Sequence, residues 1–205
     1  MPSLDSFKAR QTLTVNGKDY TYYSLDAAAK NGLGDVSRLP ASLKVLLENM
    51  LRNEDGTSVT KDDITAFKTW LDNGGGVTHE IAYRPARGLM PAVVELAAMR
   101  DAAETLGASA EEINPQVPVD LVIDHSVMVD SFAGPNSFKR NVEIEYERNQ
   151  ERYEFLRWGA SAFQNFRVVP PGEGISHQVY IENLGQTVWT KAVGGETIAY
   201  TDTCV

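Results

Sequence analysis

The chain has 205 residues, of which 42% are hydrophobic and 23% charged, and its formal net charge is −9. This composition is ordinary for a globular protein, and no run of about 18 apolar residues predicts a membrane span. An acidic chain also lacks the clustered Lys and Arg that a general nucleic-acid or membrane-surface binder needs. The single cysteine, Cys204, excludes an internal disulfide and favours a reducing compartment, so we expect a cytoplasmic protein.

The N-terminal part is predicted to form a hairpin followed by two helices. Asn16-Gly17 lies between two β-prone runs, which is the strongest short-range signal for a hairpin. Leucines and methionine recur at helical spacing over residues 39–53. Thr60 and Asp63 have the spacing of a capping box, and the glycines at 74–76 end the helix that it begins.

The rest of the chain alternates helical and strand patterns. In chain order we predict a helix from Pro91 to Gly107, a strand over Val119–Ile123, one long helix over 136–163, a strand from Phe166, a short helix or turn over 176–185, and a hairpin around Gly194-Gly195. The apolar residues of the strand over Val119–Ile123 are contiguous, which is typical of a strand covered on both faces. This alternation predicts an α/β protein, a layered α/β/α domain with a mixed sheet.

We expect one domain over residues 1–205, with a hairpin and helical lead-in at 1–75 and the strand and helix core at 76–205. The sequence ends at Val205 after a strand-like run, which we interpret as a cut through a larger protein. Arg148, Arg152 and Arg157 alternate with glutamates, a pattern that predicts a solvated helix face with ion pairs.

Asp124 and His125 follow the predicted strand at the end where α/β sheets gather reactive side chains. A carboxylate beside an imidazole raises the pKa of the ring and fixes its orientation, which prepares it for proton transfer near neutral pH. The alternative is structural: Asp124 caps the following turn, and His125 is a hydrogen-bonded histidine of the core. The dipeptide alone leaves both interpretations open.

His177 follows the glycine-rich turn "PPGEGIS", so two histidines after two strands could converge on one crevice. Serine hydrolase chemistry is possible in principle, but the chain has no G-x-S-x-G elbow. A zinc site has little support, because His79, His125 and His177 are far apart in sequence and no thiol pair accompanies them.

Three long blocks carry a resemblance to a known family: "LPASLKVLLENMLRNEDG", "INPQVPVDLVIDHSVMVD" and "ERNQERYEFLRWGASAFQNFRVVPPGEGISHQV". They resemble the N-terminal region of aconitases, in the bacterial and cytosolic branch that includes the iron-regulatory proteins. The resemblance implies an enzyme, aconitate hydratase, that interconverts citrate and isocitrate through cis-aconitate. It also implies a [4Fe–4S] cluster whose open iron binds the substrate hydroxyl.

The resemblance assigns roles to the candidate residues. Asp124-His125 matches the family's Asp-His pair, in which the histidine protonates the departing hydroxyl and the aspartate orients the ring. His177 matches a second histidine that lies near the iron-bound water. These three residues are therefore the expected catalytic residues.

The chain also departs from the family pattern. Met90 runs directly into Pro91, where the family carries a Q-D-x-T-G-V segment whose glutamine contacts substrate. The three cluster cysteines lie downstream in the family and Cys204 matches a position that is not a ligand, so we expect no cluster ligands in this chain. The catalytic-base serine and most substrate-binding arginines would also lie downstream, which makes the downstream aconitase domains expected partners.

Alternatives to a catalytic role remain open at this point. The chain could be a folded but inactive fragment or an interaction module, or part of a dehydratase for a methyl-substituted citrate in the same family. An RNA-binding module of the iron-regulatory kind is disfavoured by the acidic charge, and the family's RNA site also needs later domains.

Overall fold

The computed structural model describes residues 3–89, 93–123, 127–171 and 184–205. These residues form two compact units, the first comprising Met1–Arg84 with Thr187–Asp202 and the second Pro85–Gln186 with Thr203–Val205. Both units combine helices with sheets, so the predicted α/β class is confirmed. Among the described helices, none has the length and apolar character needed to cross a membrane. The expected organisation as one domain with a lead-in over 1–75 stays a prediction.

The first unit contains a mixed four-stranded sheet in the order β1-β2-β7-β6. Its strands are β1 (Arg10–Val15), β2 (Lys18–Tyr23), β6 (Val188–Val193) and β7 (Glu196–Thr201). The central pair β2–β7 is parallel and the two outer pairs are antiparallel. Both predicted hairpins are confirmed, and both turn residues of each have positive φ, the type I′ geometry that Asn-Gly and Gly-Gly favour.

The described residues of the first unit also form three α-helices, of which the second packs against β2 and β7 of the sheet. They are α1 (Leu25–Ala28), α2 (Ala41–Asn53) and α3 (Lys61–Asp72). The predicted capping box of α3 is confirmed, since the Thr60 hydroxyl accepts from the Asp63 N–H and the Asp63 carboxylate accepts from the Thr60 N–H at 2.7 Å. Leu47, Met50 and Leu51 of α2 and Ile64 of α3 are buried in one core.

A buried asparagine ties the end of the extended segment that follows α3 to α2. The Asn49 side chain is fully buried, its Nδ2 donates to the Arg84 carbonyl at 2.6 Å, and its Oδ1 accepts from the Arg84 N–H at 3.2 Å. The amide thus makes the two hydrogen bonds that a neighbouring strand would make. It fixes the backbone just before Pro85, where the chain leaves the first unit.

The Arg84 side chain is held at its other end by Asp55. Its Nη2 donates to Asp55 Oδ2 at 2.8 Å and to Ser58 Oγ at 2.7 Å. Asp55 also accepts hydrogen bonds from the Ser58 hydroxyl and from the N–H groups of Val59, Thr57 and Ser58. The Ser58 hydroxyl, followed by these N–H groups, holds the pKa of Asp55 well below its usual range because the hydrogen bonds favour the carboxylate.

The second unit contains a parallel three-stranded sheet in the order β3-β4-β5. Its elements are β3 (Gly88–Leu89), α4 (Val94–Thr105), a short 3₁₀ turn (Ala110–Glu112), β4 (Val119–Val122), α5 (Ser137–Arg148), α6 (Gln150–Ala162) and β5 (Phe166–Val169). All four residues of β4 are buried, which confirms a strand covered on both faces.

The two faces of β4 have different surroundings. Val119, Leu121 and Ile123 belong to one core with α4 and α6. Asp120 alternates to the other face, where its carboxylate accepts a hydrogen bond from Arg167 Nε at 2.6 Å. Asp120 and Arg167 are register partners across β4 and β5, so this ion pair favours one alignment of the two strands.

The single long helix predicted over residues 136–163 is wrong. α5 ends at Arg148 and α6 begins at Gln150, with Asn149 between them at φ −115° and ψ 31°. Asn149 Nδ2 donates to the Glu145 backbone carbonyl at 3.4 Å and to the Glu145 carboxylate at 2.8 Å. Asparagine side chains form such local bonds in competition with the helix, which explains the break inside a continuous helical pattern.

We predict that Asn49→Ala lowers the free energy of unfolding by about 1–3 kcal/mol, because it removes a fully buried amide and both of its hydrogen bonds to the Arg84 backbone. Urea titration followed by circular dichroism measures this change. Gln11→Thr on exposed β1 is the control and should change the value by less than about 0.5 kcal/mol. Equal effects of the two substitutions would contradict the assigned role of Asn49.

We also predict that the stability difference between the native chain and Asp55→Asn depends on pH. Because the pKa of Asp55 is lowered on folding, its stabilisation is complete above the unfolded pKa of about 4 and is lost as the pH falls towards the folded pKa. The native chain should be the more stable at pH 7, and the difference should shrink between pH 4 and 3. A difference that stays constant over this range would count against the hydrogen-bonded carboxylate.

Candidate functional site

The three catalytic residues expected from the sequence, Asp124, His125 and His177, lie outside the residues that the structure describes. The Met90-Pro91 junction lies outside them too. The expected convergence of the two histidines therefore stays a prediction. What the structure does describe is the pair of strands that leads into these positions.

β4 and β5 run parallel and in register, so both end at the same edge of the sheet. Their pairing continues one residue beyond β4, where the Ile123 N–H donates to the Val169 carbonyl at 3.1 Å. Asp124 follows Ile123 directly in the sequence, and His177 lies further along the chain that leaves β5. This edge is the one at which α/β sheets place ligands and reactive groups.

A pocket of about 430 Å³ opens at this edge. Its apolar lining comes from the strand ends and α6, and its polar lining from the two helices. The lining residues are Ile123, Tyr146, Gln150, Tyr153, Glu154, Leu156, Arg157, Val168 and Pro170. The volume suits a small organic molecule, since ligand pockets usually measure about 300–1,000 Å³.

The polar lining residues of α6 form a stripe. Gln150, Tyr153, Glu154 and Arg157 have the spacing of one helix face, and Gln150 Nε2 donates to Glu154 Oε1 at 2.8 Å. None of these residues was among the site residues expected from the sequence, and Arg157 is exposed, as expected of a solvated face. Their spacing at i, i+3, i+4 and i+7 is the signal that could have identified the stripe.

Tyr153 is held by a hydrogen bond and by an aromatic contact. Its hydroxyl donates to Glu145 Oε1 at 2.9 Å, and its ring centroid lies 4.6 Å from that of Tyr146. Burial first, and then the Glu145 carboxylate, raise the pKa of Tyr153 above its usual value. The phenol therefore stays protonated at neutral pH and acts as a hydrogen-bond donor.

The described residues form no metal site. Over the ranges 3–89, 93–123, 127–171 and 184–205, no three His, Cys, Asp or Glu side chains are arranged to hold a metal ion. The only cysteine of the chain, Cys204, is exposed. An iron–sulfur cubane is held by several cysteine thiolates, so the donor set of this chain does not fit one.

Comparison with known proteins identifies the family. The sequence profile of the aconitase (aconitate hydratase) family matches residues 76–205. The chain is 59% identical to the aconitate hydratase A of Bradyrhizobium diazoefficiens over 100% of its own length and 24% of the relative. It is 59% identical to that of Pseudomonas aeruginosa over 100% of the chain and 23% of the relative. It is 57% identical to that of Escherichia coli over 96% of the chain and 23% of the relative.

The chain thus spans about a quarter of the length of these curated relatives. The family match covers more than half of the chain and includes all of β4, β5 and the pocket between their ends and α6. The chain belongs to the aconitase family.

Proposed function

We propose that this chain supplies the proton-transfer residues of an aconitate hydratase, which isomerises citrate and isocitrate reversibly through cis-aconitate in the cytoplasm. The observation that carries the proposal is the in-register pairing of β4 with β5, which brings their carboxyl ends to one edge beside a pocket. Asp124, His125 and His177 follow these two strand ends in the sequence. The rest of the site would come from polypeptide that this chain does not contain.

His125 is the proposed acid. It donates a proton to the oxygen of the departing substrate hydroxyl, which leaves as water, and it recovers the proton when water adds back. Asp124 is proposed to orient the imidazole, the role of the aspartate in the family's Asp-His pair. His177 is proposed to act near the iron-bound water, as the matching histidine of the family does. The proton on the neighbouring carbon must be removed by a base outside this chain.

The cluster is also assigned to the rest of the polypeptide. In the complete enzyme the [4Fe–4S] cluster would act as a Lewis acid on the substrate hydroxyl. One exposed cysteine in 205 residues cannot supply its thiolate ligands. The role of this chain is therefore limited to proton transfer, orientation of the imidazole and exclusion of water by the apolar lining of the pocket.

Binding of a tricarboxylate needs more positive charge than the described pocket offers. Arg157 is its one lining cation, and Glu154 in the same stripe is an anion. Two further carboxylates would remain without a cationic partner. We therefore assign most of the substrate-binding cations to the missing polypeptide, which would also decide between citrate and a methyl-substituted citrate.

The proposal is tested in a chimera. The chain replaces the matching N-terminal segment of the Pseudomonas aeruginosa relative, and the family's Q-D-x-T-G-V segment is restored between Met90 and Pro91. The chimera should convert citrate and isocitrate to cis-aconitate, measured by its absorbance. His125→Ala should then lower the rate by roughly 10²–10⁴-fold, the usual contribution of a positioned acid or base.

His79→Ala is the matched control, because His79 has no proposed catalytic role. Its Nε2 lies 2.7 Å from Asp63 Oδ1. The rate of this variant should stay within about threefold of the chimera. An active chimera that tolerates His125→Ala would refute the assigned acid. Turnover by the isolated chain would refute the division of the site between this chain and the rest of the polypeptide.

We predict that the isolated chain holds no [4Fe–4S] cluster after anaerobic incubation with iron and sulfide, because a single thiolate is available. Visible absorption and iron and sulfide analysis measure cluster content, with Cys204→Ser as the background. A stable brown protein with stoichiometric iron and sulfide, lost in Cys204→Ser, would contradict this assignment.

A further inference from the structure

The segment between β4 and α5 exposes an unusual number of large apolar side chains. Met128, Val129 and Phe132 are 63%, 69% and 79% exposed, and Phe138 in the first turn of α5 is 65% exposed. We call residues 128–138 the apolar segment. Single exposed apolar residues are normal on a protein surface, but four large ones within eleven residues are typical of an interaction site.

The backbone of the apolar segment is firmly held. Asn141 is buried, its Oδ1 accepts from the N–H groups of Asp130 and Ser131 at 3.1 and 2.8 Å, and its Nδ2 donates to the Ser131 carbonyl at 2.9 Å. Arg148 adds a bidentate ion pair to Asp130, at 2.6 and 2.7 Å. The exposed side chains therefore belong to a structured loop and helix start.

The C-terminal end of the segment is ordered in the same way. The Gly134 N–H donates to Ser137 Oγ at 3.0 Å, and the Ser137 N–H donates to the Gly134 carbonyl at 3.1 Å. These backbone groups form their hydrogen bonds within the chain, while the aromatic side chains face solvent. Such a loop is preorganised for contact with a partner. Preorganisation reduces the entropy that association costs.

Charged residues flank the aromatic ones. Lys139 and Arg140 follow Phe138 directly, and Arg140 pairs with Glu143 at 3.4 Å on the same helix. Aromatic and Met residues at the centre with charged residues around them are the usual composition of a protein–protein interface. A second copy of this chain is a poor occupant, because two chains of net charge −9 repel one another.

We propose that the apolar segment is the docking surface for the remaining three-quarters of an aconitate hydratase polypeptide. This inference rests on the proposed role of the chain as one part of a longer enzyme, and on the fact that the chain spans 24% of its Bradyrhizobium relative. Phe132 and Phe138 are its anchors, since aromatic residues carry much of the energy of such interfaces.

The first test is binding in trans. The chain is titrated by calorimetry with the separately expressed remainder of the Pseudomonas aeruginosa relative, and light scattering gives the stoichiometry. We expect a one-to-one complex whose Kd rises at least tenfold in Phe132→Ser/Phe138→Ser. Leu106→Ser is the matched control, because Leu106 is 86% exposed at the end of α4, and it should leave the Kd unchanged.

The second test does not need the remainder to fold alone. Hydroxyl-radical footprinting compares the isolated chain with the covalent chimera, in which oxidation of Met128, Phe132 and Phe138 should slow several-fold while that of Leu106 does not. Equal oxidation rates in the two proteins would overturn the proposal, as would self-association of the isolated chain through the same residues. If the chimera is inactive but its aromatic residues are protected, the proposed catalysis is rejected and the proposed interface is kept. If the chimera is active but these residues stay exposed, the proposed interface is rejected and the proposed catalysis is kept.

Discussion

The parallel pairing of β4 with β5 is the constraint on which the rest of the second unit depends. It is held by backbone hydrogen bonds and by the Asp120–Arg167 ion pair at matching register positions. A shift of one residue would move Asp120 to the face that packs against α4 and α6, where its carboxylate would have no partner. Because the register is fixed, Ile123 and Pro170 both reach the pocket, and the chain beyond each begins at one edge.

Local signals explain what the sequence predicted correctly. The Asn16-Gly17 turn and the Thr60–Asp63 capping box depend on neighbours within a few residues. The run of apolar residues in β4 is sufficient to predict a buried strand. The break at Asn149 was not predicted, since one asparagine bond overrides a pattern that stays helical on both sides. The Asp120–Arg167 pair and the pocket depend on contacts between distant parts of the chain, which periodicity does not reveal. Asp124, His125 and His177 lie outside the described residues, so resemblance and strand topology alone support their proposed roles.

We propose that this chain contributes one part of the active site and that the rest of the polypeptide contributes the other. The chain offers two histidines, an aspartate and a largely apolar pocket, which suit proton transfer and exclusion of water. It has one thiol and one lining arginine, which suit neither a cubane cluster nor a tricarboxylate. The ordered apolar segment over 128–138, held by Asn141 and Arg148, is a surface through which the complementary half could attach.

The central claim is that the chain beyond β4 and the chain beyond β5 meet at one edge of the sheet. Electron paramagnetic resonance tests it with nitroxide labels on His125→Cys and His177→Cys in a Cys204→Ser background, with the singly labelled chains as reference. The account predicts strong dipolar broadening in the doubly labelled chain, because both labels would lie beside the pocket at the ends of β4 and β5. A doubly labelled spectrum equal to the sum of the single spectra would place the two positions apart and contradict the account.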